Sequence, residues 1–175
     1  MIRLPTLGSQ SGQTWDHKGR TELVQIFVSY DDSAINFLQF LYAENGSLVL
    51  SERPDYIYVG NNFSTVTLQY PDEFLTSLKG TWNYGKLTSI ECGTNLGRHG
   101  PFGRAYKDDK HFDFQLGNHR AFGGFHGTTS RAGTLESIGI YVKPIASLSN
   151  LNSDQQVNVS KSASKAEVKN IYLDH

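Results

Sequence analysis

A chain of 175 residues with 16 Lys+Arg against 17 Asp+Glu, net charge −1, has room for one domain with its own core and carries no electrostatic footprint for nucleic acid or an anionic membrane. The single cysteine, Cys92, excludes an internal disulfide, and neither an apolar N-terminal h-region nor a run of membrane-spanning length is legible, so a soluble cytoplasmic protein is expected. Ten Phe, nine Tyr and 17 Gly against one Met point to an all-β domain with many tight turns.

In chain order, strands are predicted over Leu23–Tyr30, Ile35–Ala43 and Ser47–Leu50. The last two are joined at Asn45-Gly46, the residue pair that supplies positive φ to a type I′ hairpin. Ile35–Tyr42 is apolar on both faces and is expected to be buried on both sides. Further strands are predicted over Tyr56–Val59, Ser64–Tyr70, Phe74–Leu78, Leu87–Cys92, His111–Leu116, Ala121–Phe125 and Leu135–Val142. No window of helical period and useful length precedes residue 144, and no internal repeat is legible. Such regularly spaced short strands read as a sandwich, barrel or prism. After Pro144 the composition turns to Ser, Asn, Gln and Lys, so residues 1–144 read as the domain and 145–175 as a polar tail, disordered or loosely docked.

The final strand carries the chemistry. Its alternation places Ile138, Ile140 and Val142 on one face and Ser137, Gly139 and Tyr141 on the other, a half-buried pattern that begins at Glu136. A carboxylate at the mouth of a strand, beside glycine-exposed N–H groups, suits a polyhydroxylated ligand. Trp82 and Tyr84, flanked by Gly80 and Gly85, read as loop aromatics on which the C–H face of a sugar can stack.

Other constellations lead nowhere. Asp108, Asp109, His111, Asp113 and His119 match no zinc or calcium spacing and read as a solvated hairpin edge whose charges deter strand pairing. Gly8-Ser9-Gln10-Ser11-Gly12 fails the register of a nucleophile elbow. Cys92 reads as a packed small hydrophobe. The glycines at 93, 97, 100 and 103 lack the ending of a phosphate loop and read as turn residues. Neither an enzyme activity nor a metal or cofactor is expected.

Six motifs then occur in order: Gly12-x-x-Trp15-Asp16-x-x-Gly19, Tyr70-Pro71-Asp72-Glu73-Phe74-Leu75 with Gly80, Gly93-Thr94-Asn95, Gly100-Pro101-Phe102-Gly103, Gly123-Gly124-Phe125-His126-Gly127, and Ile138-Gly139-Ile140-Tyr141-Val142-Lys143-Pro144. Over residues 4–144 the chain resembles the jacalin-related plant lectins, especially their cytosolic mannose-type branch, where crucifer proteins include some that restrict plant viruses. The resemblance implies a β-prism of three four-stranded Greek-key sheets about a pseudo-threefold axis. It also implies a sugar site at one end of the prism, built from an N-terminal glycine, a middle loop and a G-x-x-x-D motif before the last strand. Carried over by position, these are Gly12 (Gly8 as the lesser candidate), the loop with Trp82, Asn83 and Tyr84, and Gly133, Thr134, Leu135 and Glu136. Here Ala132 stands at the motif glycine and Glu136 at the motif aspartate. N–H groups at 134–136 would donate, Glu136 would accept, and Trp82 or Tyr84 would set specificity.

The implied function is non-enzymatic binding of mannose- or glucose-type glycans or glycoproteins in plant defence, with multivalency from a homo-oligomer. Beside it stands a protein-interaction or virus-restriction module with a decayed sugar site, its partner held through residues 145–175.

Overall fold

The computed structural model describes residues 1–53 and 58–146. Among these there is no helix, and every long strand predicted from 23 to 50 and from 75 to 142 is present, most of them extended at one or both ends. The part of the predicted Tyr56–Val59 strand that is described, Tyr58 and Val59, is not a strand, and the tail from 147 onward lies outside the described residues.

Three antiparallel sheets repeat one topology. In the first, β4 (Leu23–Tyr30) and β5 (Ile35–Glu44) form a hairpin; β6 (Ser47–Leu50) then pairs with β5, and β7 (Asn62–Thr67) returns to β4. In the second, β8 (Leu75–Asn83) and β9 (Lys86–Thr94) form the hairpin, β10 (Arg98–Gly103) pairs with β9 and β11 (Lys110–Gln115) with β8. The third is built on β12 (Phe122–Thr129) and β13 (Leu135–Val142), but its flanking strands come from the chain start. Two short pieces, β1 (Ile2–Arg3) and β2 (Leu7–Gly8), run along β13 as one strand interrupted near Pro5, and β3 (Gln13–Asp16) pairs with β12. The repeat that the sequence hides is therefore a circularly permuted threefold.

Four strands escaped the sequence reading. β1, β2 and β3 are only two to four residues long, too short for any alternation to show, and β10 contains Gly100, Pro101 and Gly103. Edge strands tolerate such residues because one side of the backbone has no ladder to complete. A register shift between His99 and Phe102 accommodates the Gly100-Pro101 pair, while Phe102 still packs against the core. The turn at Asn45-Gly46 has positive φ at both residues, 50° and 77°, as a type I′ hairpin requires.

Apolar side chains of the three inner faces meet in one cluster, which includes Ile26, Leu38, Phe40, Leu78, Ile90, Phe112, Phe125, Ile138 and Ile140. Phe40 and Phe125 stack across two sheets with centroids 4.4 Å apart. Cys92 is buried in the same cluster, and burial pushes its thiol up to about 12. It is inert packing.

The half-buried pattern expected for β13 is corrected: Leu135 through Tyr141 are all buried. Glycine is the reason. A Cβ on Gly139 would stand 2.4 Å from the His126 ring, and one on Gly127 would stand 2.5 Å from the Trp15 ring, so both aromatics lie flat on bare backbone and cover the outer face. His126 Nε2 is 3.0 Å from the Leu4 carbonyl, its ring lies against Tyr141, and the Tyr141 hydroxyl donates to Asp16 at 2.6 Å. Burial, with Arg3 beside it, holds the His126 imidazole below its ordinary range.

The proposed solvated edge at 108–119 is also corrected in part. His111 and Asp113 do point outward from edge strand β11, but Asp109 is buried. It accepts from Thr88 Oγ1 at 2.5 Å, from the Tyr106 N–H at 2.9 Å and from Asn83 Nδ2 at 3.1 Å.

Candidate functional site

At the end of the prism where the β12–β13 hairpin turns, three loops meet. Residues 131–133 make a three-residue connection. The Gly133 N–H donates to the Ser130 carbonyl at 2.9 Å, the Ser130 N–H donates to the Thr134 carbonyl at 2.8 Å, and Gly133 takes φ +82°. This is the type I turn closed by a left-handed residue that such loops favour. The left-handed position falls on Gly133, which leaves Ala132 in an ordinary turn position. The turn sets Glu136 at the start of β13.

The N-terminal loop approaches from the other side. The Ser9 carbonyl accepts from Thr128 Oγ1 at 2.8 Å, which pins the loop. Ser11 Oγ then donates to Glu136 Oε1 at 2.9 Å, and the Gly12 N–H donates to Oε2 at 2.8 Å. Only glycine permits this approach, because a Cβ at position 12 would stand 2.0 Å from the Thr129 carbonyl oxygen and 2.9 Å from Glu136 Oε2. Glu136 is thus buried yet oriented by two donors, which removes much of the rotamer freedom that its extra methylene brings.

The third loop is the β8–β9 turn, a two-residue connection with positive φ at both Tyr84 (46°) and Gly85 (75°). Tyrosine is an unfavourable choice at the first of these positions, where Asn, Asp or Gly is preferred. Tyr84 is nevertheless 93 % exposed, so no packing explains it. Gly85 faces Ser9, where a Cβ would touch the serine at 3.5 Å, and the tip of the second sheet thereby closes the third sheet's loop.

An open depression of about 430 Å³ lies among these loops, lined by Ser9, Ser11, Tyr84, Gly85, Lys86, Ser130, Thr134 and Glu136. Tyr84, Thr134 and Glu136, all named from the sequence, face it, and Gly12 supports Glu136 from behind. The others are elsewhere. Trp82 belongs to β8 rather than to a loop and packs against the core with Lys110 over its ring at 4.7 Å. Leu135 is a core residue and Gly133 serves the turn. Asn83 points away toward Asp109. The Thr134 N–H, expected to donate to a ligand, is already held by Ser130 Oγ at 3.1 Å. Ser9, Ser11, Lys86 and Ser130 were not anticipated. Ser9 and Ser11 sit beside Gly12 in a segment weighed only as a nucleophile elbow, Ser130 opens the β12–β13 turn, and Lys86 follows the turn whose aromatics drew attention.

The arrangement presents an oriented carboxylate, hydroxyls, an ammonium group and an exposed ring on the loops of a triplicated Greek-key scaffold, the makings of a lectin. The jacalin-like lectin domain matches residues 4–141, and the chain belongs to that family. It is 36% identical over 136 residues to Protein RESTRICTED TEV MOVEMENT 1 of Arabidopsis thaliana, covering 74% of this chain and 77% of that protein. Jacalin-related lectin 24 of Arabidopsis thaliana is 35% identical over 155 residues, 82% of this chain and 68% of that protein. Among solved structures, a mannose-binding jacalin-related lectin from Ananas comosus superposes with a TM-score of 0.69 at 26% identity, covering 82% of this chain and 98% of its own. An artocarpin–mannopentose complex superposes with a TM-score of 0.68 at 26% identity, covering 82% and 97%.

Proposed function

We propose that the chain is a non-catalytic carbohydrate-binding domain for mannose- or glucose-type glycans, and that the Glu136 depression is its site. The observation that carries this reading is the Glu136 carboxylate held by Ser11 and Gly12 at the cavity wall. An ionised carboxylate has about four lone-pair positions. The two internal donors occupy one on each oxygen, so each oxygen retains a position for a pyranose hydroxyl in a charge-assisted bond. The exposed Tyr84 ring offers a face for the sugar's C–H groups, and Lys86, Ser130 and Thr134 surround the remaining hydroxyls. The mannose-binding lectin of Ananas comosus supports the sugar class.

So few contacts, net of the cost of freezing the ligand, correspond to a Kd on the order of 1 mM per site, and useful strength would come from several sites in a cytoplasmic homo-oligomer. Calorimetric titration of methyl-α-mannoside into the wild-type chain and Glu136→Ala tests the site. Binding by the wild type and none by the variant is expected; equal binding by both, or none by the wild type, overturns it.

The similarity to Protein RESTRICTED TEV MOVEMENT 1 supports a second reading, a protein-interaction module in plant defence or virus restriction in which Glu136 only ties down the N-terminal loop. Removing residues 145–175 separates the two. Glycan affinity is unchanged under the first reading, and partner capture is lost under the second.

A further inference from the structure

The three sheets share one topology but not one outer face. On the second sheet the outward side chains are charged: Lys79 and Arg98 both reach Glu91, and His111 and Asp113 project from β11. On the third, Trp15, His126 and Tyr141 lie over the strands, with Arg3, Asp16 and Lys18 around them. The first sheet differs. Its inward residues Ile26, Leu38, Phe40 and Val66 belong to the core, so strand alternation sends Phe27, Leu41 and Phe63 outward. Leu48 and Leu50 join them, directly opposite Ala43 and Leu41. Leu48 is 65 % exposed, Leu50 52 % and Phe63 57 %, and Phe27 stacks on Phe63 with centroids 6.4 Å apart. No ionisable side chain shares this face. Its two glutamines are already bonded, Gln25 to Thr67 Oγ1 at 2.8 Å and Gln39 to the Ser51 carbonyl at 2.9 Å. Covering it strands no charge, and both amide nitrogens keep a partner.

We infer that this face is a homodimer interface, on which a second copy of the chain stacks face to face. A face without charge offers no complement to an acidic or basic partner, but it is its own complement about a twofold axis. The other two outer faces carry charges that burial against leucine and phenylalanine would leave unpaired. The size also fits. Four strands about 4.8 Å apart and about 20 Å long give a footprint of roughly 400 Å² per copy, before the relief of the side chains is counted. An apolar patch on that scale marks an interaction surface. Two copies stacked in this way form a β-sandwich with sheets about 10 Å apart, and together they bury an area at the low end of specific interfaces. None of the residues lining the Glu136 depression lies on β4, β5, β6 or β7. The interface therefore stands apart from the sugar reading, and supplies the surface through which a lectin of this chain would become bivalent.

Sedimentation equilibrium of the full chain tests it, run beside Leu48→Lys/Leu50→Lys, Phe63→Lys, and Asp113→Lys as a control on the second sheet's outer face. The wild type is expected to pass from monomer to dimer with a Kd on the order of 10–100 μM. Leu48→Lys/Leu50→Lys, at exposed positions, should raise that Kd about a hundredfold or more, because two ammonium groups per copy would be buried without partners. Phe63→Lys, on the far edge strand of the same face, should act in the same direction, so a misfolded β6 variant does not decide the outcome. Asp113→Lys should leave the dimer intact, and all variants should keep the wild-type affinity for methyl-α-mannoside or share its absence. A dimer that survives the substitutions on β6 and β7, or one lost equally in Asp113→Lys, overturns the interface. So does a wild type that stays monomeric throughout, including one whose stability falls on substitution because another stretch of the chain covers the face.

Discussion

The Glu136 site and the Asp109 site lie on either side of the β8–β9 turn and are made by the same topology, and both bury a carboxylate where a hairpin meets the residue just before a fourth strand. Gly12 precedes β3 and Asp109 precedes β11. At the first site the loop supplies a bare N–H and a serine hydroxyl while the hairpin supplies the acid, so Glu136 remains a wall of an open depression. At the second the loop supplies the acid and the Tyr106 N–H while the hairpin supplies Thr88 and Asn83, and Asp109 is bound from three directions. Burial pushes the Asp109 carboxyl up, but the bonds from Thr88, Tyr106 and Asn83 outweigh it and hold the group below its ordinary range. The first sheet offers a third variant. A Cβ on Gly60 would meet the Tyr30 carbonyl and Asn36 Oδ1, both at 2.4 Å, as one on Gly12 would meet Thr129 and Glu136. There a carboxamide takes the place of the acid and donates to Asp31 at 3.2 Å. One scaffold thus yields a charged acceptor at a cavity, a structural anchor and a neutral counterpart. The identity of two or three residues decides which.

Substitutions can break this contrast. Gly12→Ala should have the largest effect, because its Cβ would strike backbone at 2.0 Å. A stability loss of roughly 3–4 kcal/mol in urea unfolding is expected, with mannoside binding abolished. Asp109→Ala strands several buried donors and should cost about 3 kcal/mol, yet the folded fraction should keep its monosaccharide affinity. Glu136→Ala should show the reverse, about 1 kcal/mol of stability and all of the binding, since its donors can turn to water in the depression.

The pH response belongs to another part of the molecule. His17 is buried beside the Tyr42 hydroxyl at 3.2 Å, and burial, aided by Arg20, lowers its imidazole to about 4, against 6.5 when free. Between these values the unfolded chain binds the extra proton, so stability falls as pH drops from 6.5 toward 4, by at most about 1.4 kcal/mol per pH unit for this group. His126, lowered in the same direction by burial, steepens the fall. Thermal midpoints measured across that window should decline, and His17→Gln should flatten the profile.

The smallest effect is expected at Tyr84. Replacement by Asn, which accepts positive φ, should raise stability by roughly 0.5–1 kcal/mol while weakening sugar binding. A variant that is both more stable and a poorer binder marks strain held for function.

The sequence was informative where local rules suffice. The β-branched and aromatic run of β4 and the alternation of β13 gave strand bounds that match the structure, and Asn45-Gly46 gave its turn. Glu136, Thr134, Tyr84 and Gly12 came from a motif resemblance together with the chemistry of a carboxylate at a strand mouth. Trp82 was misplaced because the flanking glycines read as a loop, whereas β8 runs unbroken through Gly80 to Asn83 and Trp82 keeps the inward parity of Leu78. Asp109 looked like one more surface charge beside Asp108; its partners lie on β8 and β9, some twenty residues earlier. Ser11 and Lys86 meet only because the chain start closes the third sheet and the second sheet's turn leans onto it. The threefold repeat was hidden because topology is repeated while loop lengths and end residues are not.

The most direct test of the contrast between the two sites is a two-dimensional ¹⁵N–¹H NMR titration of the chain with methyl-α-mannoside. The account predicts saturable shifts at the amides of Ser11, Gly12, Tyr84, Thr134 and Glu136, with Gly60 and Asp109 unmoved. Shifts centred on Gly60 or Asp109, or none at any concentration, would contradict it.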